Sequence, residues 1–308
     1  MMKEHILQKT SVVCLLALLC CFLWGSAFPS IKTGYELFQI STDDTASQIF
    51  FAGVRFTMAG ILVILVYSIA NRRLLVPQKT SWGMISVVAM FQTVLQYFFF
   101  YVGLAHTTGV KGSILESVHV FFAVILASLL FKQETLTKNK IIGCIIGFAG
   151  VILVNLNGTE GLGGGFAING EGFLIIACGA YALSSIFIKI FSQKENPVII
   201  SGYQFVIGGL IMAAVGFAAG GRLEPTGGAA FVLLLYMAMI SAVAYSVWGV
   251  LLKFNPVSKV SIFGFSNPVF GVILSAVFLG EGAGMPVLQT LMALILVSAG
   301  IFIVNKEE

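Results

Sequence analysis

Charged residues are scarce in this chain of 308 residues: they make up 10% of it, against about 25% in typical soluble domains. Hydrophobic residues make up 58%, and the mean hydropathy is +1.00. So few charges cannot cover the surface of a soluble globule, which excludes a soluble nucleic-acid-binding protein and an intrinsically disordered chain. Most of the chain is expected to face lipid or the interior of a membrane bundle.

Cysteines and catalytic motifs are also sparse. The cysteines show no disulfide or metal-ligand spacing, which excludes a secreted disulfide scaffold and predicts no metal site. They are interpreted as small packing residues, at Cys14, Cys20, Cys21, Cys144 and Cys178. The sequence has no Gly-x-Ser-x-Gly elbow, no His-Glu-x-x-His helix and no nucleotide-binding fingerprint. We therefore expect no enzyme activity, no cofactor and no ATP-driven step.

Long hydrophobic runs are present instead. A membrane-spanning helix needs about 20 mainly apolar residues, and runs without period-two alternation favour helices. The first run follows Lys3 and Lys9, so a cleaved signal peptide is its alternative, but its length and the repeat described below favour a permanent span. The ten predicted spans cover about residues 11–31, 48–70, 82–104, 110–131, 139–155, 170–190, 198–220, 229–252, 257–279 and 286–304.

The positions of lysine and arginine predict the orientation. If the N-terminus is cytoplasmic, thirteen of them fall in inner segments and only Lys32, Lys111 and Arg222 in outer ones, while Arg55 lies within a span. Cytoplasmic loops are the ones enriched in these residues. The sequence therefore predicts a multi-pass protein of the inner (cytoplasmic) membrane with both termini in the cytoplasm, in contact with the lipid bilayer and not with nucleic acid.

The two halves of the sequence resemble each other. Residues 149–155 (AGVILVN) recur as 299–305 (AGIFIVN), and an offset of 148 pairs Tyr97 with Tyr245. Because five helices per half is an odd number, the second half enters the membrane with the opposite orientation, as in many secondary transporters. We predict an all-α polytopic membrane protein with ten transmembrane helices as two inverted five-helix repeats. The repeats are placed at 1–156 and 170–308, with a Gly-rich linker at 157–169.

These features together resemble the EamA family of the drug/metabolite transporter superfamily. The likeness rests on the ten spans, on residues 24–28 (WGSAF), on Arg55-Phe56 and on the run from Asn267 to Glu281. It covers nearly the whole chain and implies export or exchange of amino acids and related metabolites, with the third, fourth, eighth and ninth helices central. The chain departs from the family's usual proline in the fourth helix, because His119-Val120 stands where Asn267-Pro268 stands in the ninth helix, and this departure implies a different substrate preference.

Two ionisable residues, Arg55 and Glu116, are predicted well inside the spans. At about 1.5 Å per residue, both lie about 10 Å below the outer surface, close enough to meet. A charge at mid-helix costs about 2.5–3.5 kcal/mol on insertion scales, so each needs a partner or a water-filled cavity. Glu116 is interpreted either as a substrate- or proton-binding carboxylate or as half of a structural or gating ion pair with Arg55.

Polar and aromatic residues accompany these two charges. His119 lies one turn from Glu116 on the same helix face, and packing is the alternative interpretation for it and for each aromatic. First-half residues are expected toward the outer surface and second-half residues, with Gln204, in the inner to middle region, as a pathway with two related linings. The predicted substrate-binding residues are Glu116, His119, Trp24, Gln96, Tyr97, Tyr181, Tyr245, Trp248 and Asn267.

The sequence therefore favours a secondary transporter that moves a small metabolite, an amino acid or amine-bearing compound, by alternating access, as an exporter or exchanger. The alternatives are an uncoupled channel-like facilitator and an intramembrane enzyme acting on lipid. Protons are a candidate second partner. The chain is expected to be a monomer or a homodimer. The small residues Ala149-Gly150 and Ala299-Gly300 form either a dimer face or, as we favour, intramolecular contacts.

Overall fold

The computed structural model describes residues 6–41, 43–106, 115–155, 167–279 and 287–306. Within these ranges the chain forms ten helical segments and no β-strand. Seven of them, α1–α3 and α6–α9, are long and apolar enough to cross a membrane by length and composition. The helices are α1 (Thr10–Leu37), α2 (Thr45–Ala70), α3 (82–105), α4 (Val118–Leu130), α5 (Lys138–Asn155), α6 (Ile168–Phe191), α7 (Pro197–Ala218), α8 (Gly228–Phe254), α9 (257–279) and α10 (Val287–Asn305).

The helices follow the predicted spans closely. Among the described residues, the largest difference is at α1, which continues through Pro29 to Leu37, beyond the predicted end at residue 31. Pro29 and several of its helical neighbours are buried. The predicted start of the fourth span and the predicted linker at 157–169 fall largely outside the described residues.

Hydrogen bonds between helix ends and loops connect the helices at one end of the bundle. Asn255 donates a hydrogen bond to the Leu7 carbonyl, Lys189 donates to the Asn255 carbonyl, and the Gln78 N–H donates to Glu195 at 2.9 Å. The start of α1, the ends of α6 and α8 and the start of α3 are therefore at this end, which we call the lysine-rich end.

The Glu134 carboxylate joins further helices at the lysine-rich end. It accepts hydrogen bonds from the Ser258 N–H at 3.0 Å and from Lys140 at 2.8 Å, which places the end of α4 and the starts of α5 and α9 there. Because α1 begins at this end and α6 finishes there, the first helices of the two halves run in opposite directions. This is the orientation of an inverted repeat.

Two helix pairs made from equivalent helices of each half pack through glycine. On α2 and α7, a Cβ at Gly53 would lie 2.2 Å from the Ala213 nitrogen, and on α5 and α10 a Cβ at Gly300 would lie 2.6 Å from the Gly143 carbonyl oxygen. Only glycine lets the backbones approach this closely. Gly150 likewise packs against Ala293 of α10. The small residues of α5 and α10 are therefore used in intramolecular contacts.

The first helix of each half packs into the other half: α1 lies against α8 and α9, and α6 lies against α3 and α4. Tyr97 of α3 and Tyr245 of α8, which the sequence repeat pairs, join their hydroxyl groups at 2.6 Å. The first helix therefore contacts two helices of the second half.

Four of the helices depart from α-geometry. The π-helical stretch Ala89–Leu95 of α3 directly precedes Gln96, and α4 ends in the π-helical stretch Leu126–Leu130. The helix α6 begins with the π-helical stretch Ile168–Gly172, and α9 contains the 3₁₀ turn Ile262–Phe265. Such irregular turns are frequent at functional sites, and those of α3 and α9 border the cavity described next.

Candidate functional site

A cavity lies between seven of the helices: α1, α2, α3, α4, α6, α8 and α9. It offers about 80 Å³ to the centres of water molecules, and one water needs only about 10–15 Å³ by the same measure. The third, fourth, eighth and ninth helices do line it, but α1, α2 and α6 contribute as well. Eight of the nine predicted substrate-binding residues line this cavity, as does Arg55: Trp24, Gln96, Tyr97, Glu116, His119, Tyr181, Tyr245 and Asn267.

The structure brings the residues of both halves to one lining, not to the two expected. Tyr181, Tyr245 and Asn267 reach the same cavity as the first-half residues, because α1 and α6 each pack into the opposite half. Trp248 is the exception among the nine. It is 1% exposed and packs edge-on against Trp24 at 5.0 Å between ring centroids, outside the cavity lining.

Arg55 is held by α8 and by aromatic rings. Its side chain is 2% exposed, its Nη2 donates to Ser241 Oγ at 3.0 Å, and its guanidinium lies 5.0 Å from the centre of the Phe56 ring. Its Nε has no hydrogen-bond partner among the described residues. The two groups in contact with its guanidinium, the Ser241 hydroxyl and the Phe56 ring, are neutral, so they do not cancel its charge.

Glu116 lies just before α4, half-buried, and its Oε2 atom is fully buried with no hydrogen-bond partner in the part of the chain that the structure describes. The predicted ion pair with Arg55 is not formed: across the described ranges, no nitrogen–oxygen contact within 4.0 Å joins the two residues. The physical reason lies in α8, where Ser241 takes the hydrogen bond of Arg55. Cation and carboxylate thus face one cavity without neutralising each other.

His119 is oriented by the backbone of its own helix. Its Nδ1 donates to the Glu116 carbonyl oxygen at 2.6 Å, since a carbonyl can only accept, and the neutral ring is left with Nε2 as an acceptor. The ring meets Tyr181 edge-on at 4.8 Å, and Gly264 makes room for it, because a Cβ there would lie 2.6 Å from Nε2. Cys178 donates to the same Glu116 carbonyl at 3.4 Å.

Aromatic rings form part of the cavity lining. Trp24 packs edge-on against both Tyr245 and Trp248, with ring centroids 5.0 Å away in each case. Tyr97 packs on Phe56 at 4.4 Å and bonds to the Tyr245 hydroxyl. This part of the lining is rigid because each ring is fixed by another.

Six buried polar atoms on the cavity have no hydrogen-bond partner among the described residues. Buried polar groups in proteins are normally hydrogen-bonded, so such a cluster indicates a place where water or a ligand binds. Three are acceptors, two are donors, and one hydroxyl can act as both: Gln96 Oε1, Glu116 Oε2, Asn267 Oδ1, Trp24 Nε1, Arg55 Nε and the Tyr101 hydroxyl.

Several cavity residues were missed from the sequence, although helical spacing could have found them. Phe28 follows Trp24 by four residues, Tyr101 follows Tyr97 by four, and Cys178 precedes Tyr181 by three, so each lies on the cavity face of its helix. Cys178 is therefore more than the packing residue expected. Within the described ranges, no group of three or more His, Cys, Asp or Glu residues could hold a metal ion.

Comparison with known proteins gives a consistent result. The profile of the EamA-like transporter family matches residues 11–156 and 168–306. The uncharacterized transporter YvbV of Bacillus subtilis is 27% identical over 98% of this chain and 94% of its own. A WAT1-related chloroplast protein of Arabidopsis thaliana is 25% identical over 84% of this chain and 62% of its own. A crystal structure with 16% identity superposes with a TM-score of 0.75, covers 96% of this chain and supports the fold.

Proposed function

Because the chain belongs to the EamA-like transporter family, which matches nearly its whole length, we propose that it is a secondary transporter that carries zwitterionic amino acids across the membrane. The observation that carries this proposal is that a basic and an acidic side chain line one cavity without pairing with each other: the buried Arg55 and the half-buried Glu116. A ligand with one carboxylate and one ammonium group would neutralise both.

The energetics favour a ligand with both charges. An unpaired buried charge is costly, and breaking a buried pair costs about 3–5 kcal/mol because one charge stays uncompensated. A free carboxylic acid would leave Glu116 without a cation, and a simple amine would leave Arg55 without an anion. The zwitterion is thus expected to bind more tightly than either.

The neutral groups fit the rest of such a ligand. The amide oxygens of Gln96 and Asn267 can accept from an ammonium group, and Trp24 Nε1 and the Tyr101 hydroxyl can donate to a carboxylate. The rings around Trp24 supply an apolar wall for a hydrophobic side chain.

Transport would proceed by alternating access between inverted halves. In this structure the contacts of Glu134 and Asn255 join helix ends at the lysine-rich end, so release of the ligand there would need these contacts to open. With lysine and arginine concentrated on cytoplasmic loops, the lysine-rich end is assigned to the cytoplasm and the protein to the inner membrane.

Equilibrium binding to the purified protein tests the charge argument. We expect L-leucine to bind more tightly than isopentylamine, which lacks the carboxylate, and than isocaproate, which lacks the ammonium. Arg55→Gln should weaken L-leucine binding by about tenfold to a hundredfold and remove the disadvantage of the amine, since a hydrogen bond to a charged group contributes about 1.5–3 kcal/mol. Glu116→Gln should likewise weaken L-leucine binding, and it should remove the disadvantage of isocaproate.

The matched controls each remove one charge from the exposed loop between α7 and α8. Arg222→Gln and Glu224→Gln should leave the preference for L-leucine unchanged. Equal affinity of the unaltered protein for the three compounds would contradict recognition of a zwitterion. So would an equal loss of affinity for all three compounds in the Arg55 and Glu116 variants.

A further inference from the structure

A second layer of polar side chains lies beneath the cavity, toward the lysine-rich end. On three helices, the residue one turn from a cavity-lining residue in that direction carries a buried polar atom that has no hydrogen-bond partner among the described residues. The pairs, with the cavity residue first, are Gln96 and Gln92 on α3, Tyr245 and Trp248 on α8, and Gly264 and Ser261 on α9. We use the name second layer for Gln92, Trp248 and Ser261.

The second layer is fully enclosed in this structure. Gln92 is 0% exposed, and both Trp248 and Ser261 are 1% exposed. Both amide atoms of Gln92, the Trp248 Nε1 and the Ser261 Oγ have no hydrogen-bond partner among the described residues. Beside Gln92, Thr93 donates to Gln204 Oε1 at 2.6 Å, which leaves the Gln204 Nε2 likewise without a partner.

Packing does not account for these side chains. A buried polar group without a partner is destabilising, and an apolar residue of similar shape is tolerated as well or better. The π-helical turn of α3 adds a further irregularity at the same level, since it contains Gln92 itself. Polar groups at this depth need water or a polar ligand as a partner, and a path that opens in another conformation would supply one.

Hydrogen bonds at the lysine-rich end lie one turn beyond the second layer on α9. Ser258, one turn before Ser261 on α9, is held by the Glu134 carboxylate, which Lys140 also holds. Release of Glu134 would free the start of α9 from the loop after α4. Rocking of the two halves about the cavity would then uncover the faces of α8 and α9 that carry Trp248 and Ser261.

We infer that the second layer is the wall of the transport path between the cavity and the lysine-rich end, where polar groups of the ligand exchange hydrogen bonds as they leave. Gln92 and Ser261 each offer a donor and an acceptor, and the Trp248 Nε1 offers a donor, so the layer suits a ligand that carries both an ammonium and a carboxylate. This inference rests on the proposed transport function. It assigns a role to Gln92 and Ser261 in addition to the residues of the cavity.

Transport and binding measured on the same variants test the role of the layer. In proteoliposomes loaded with a radiolabelled mixture of L-amino acids, Gln92→Leu and Ser261→Ala should slow transport by about tenfold, equivalent to about 1.4 kcal/mol in the barrier. Equilibrium binding of the same mixture should stay within about twofold of the unaltered protein, about 0.4 kcal/mol. Thermal stability should be unchanged or higher, because the replaced atoms have no partners to lose.

The matched control is Ser184→Ala on α6. Ser184 is also 0% exposed, but its hydroxyl donates to the Tyr181 carbonyl of its own helix at 2.7 Å. Its replacement should leave the transport rate unchanged. Unchanged transport by Gln92→Leu and Ser261→Ala would overturn the inference. So would a lower melting temperature for both, since this would reveal hydrogen bonds that hold the closed state.

Thiol labelling separates this inference from the identity of the substrate. A membrane-impermeant thiol reagent applied at the lysine-rich end should label Ser261→Cys above the background of the unaltered protein and should not label Ser184→Cys. If Ser261→Cys is labelled but no amino acid is transported, the proposed substrate is contradicted and the inferred transport path still stands. Transport of the amino-acid mixture without labelling would contradict the path alone.

Discussion

The close contact of α2 with α7 gives a quantitative prediction for Gly53→Ala. The new Cβ would lie 2.2 Å from the backbone nitrogen and 2.6 Å from the Cα of Ala213. Since non-bonded carbon atoms prefer about 3.5–4.0 Å, the helices would have to separate by about 1 Å. Such overpacking costs about 1–3 kcal/mol. The higher helix propensity of alanine returns about 0.8–1.0 kcal/mol, so we expect a net loss of up to about 2 kcal/mol.

Gly179→Ala on α6 is the matched control, since a Cβ there meets no atom within 4 Å. It should raise the free energy of unfolding by up to about 1 kcal/mol through helix propensity alone. Unfolding in mixed micelles of lipid and dodecyl sulfate, followed by the fluorescence of the three tryptophans, measures both variants. Equal stability of the Gly53 and Gly179 variants would refute the argument. So would rescue by Ala213→Gly, because the clash is with the backbone of Ala213 and not with its side chain.

Three further predictions concern the loops and the cavity. Burial raises the pKa of Glu195, but the N–H groups of Gln78 and Asn196 outweigh it and hold this pKa below its usual range. The stability that Glu195 contributes is therefore complete above pH of about 4.3, its ordinary unfolded value, and is lost as the pH falls through the folded pKa. Melting curves should show this decline in the unaltered protein and a weaker one in Glu195→Gln. Gly264→Ala should weaken L-leucine binding, because the new Cβ would lie 2.6 Å from Nε2 of His119 and would displace this ring. Gly83→Ala is the control and should leave binding unchanged, since a Cβ there has open space around it. Equal L-leucine binding by the two variants would show that the position of the His119 ring is unimportant. A reporter fused to the C-terminus should be found in the cytoplasm, and a reporter active only outside the cell membrane would reverse the assigned orientation.

The helices and most of the cavity-lining residues could be predicted from the sequence, for two different physical reasons. The spans were recognisable because lipid requires long apolar runs, and among the described residues the largest difference is the continuation of α1 beyond Pro29. Polar residues such as Glu116 and Asn267 were recognisable as candidates because polar groups are costly within a span.

The sequence could not show which side chains meet across helices. Arg55 and Glu116 were predicted at similar depth and nevertheless do not pair, because the partner of Arg55 is Ser241 on α8, far away in the chain. Trp248 and Tyr245 are three residues apart on α8, yet only Tyr245 lines the cavity. Depth along a helix follows from residue number, whereas rotation about its axis depends on packing against neighbouring helices.

Transport by the reconstituted protein is the most direct test of the central claim. Proteoliposomes should exchange external radiolabelled L-leucine for internal unlabelled L-leucine, and isopentylamine or isocaproate added alone should fail to drive this exchange. The combined variant with Arg55→Gln and Glu116→Gln should be folded and inactive, because it lacks both charges that recognise the zwitterion. Exchange of L-leucine at an unchanged rate by this variant would contradict the account.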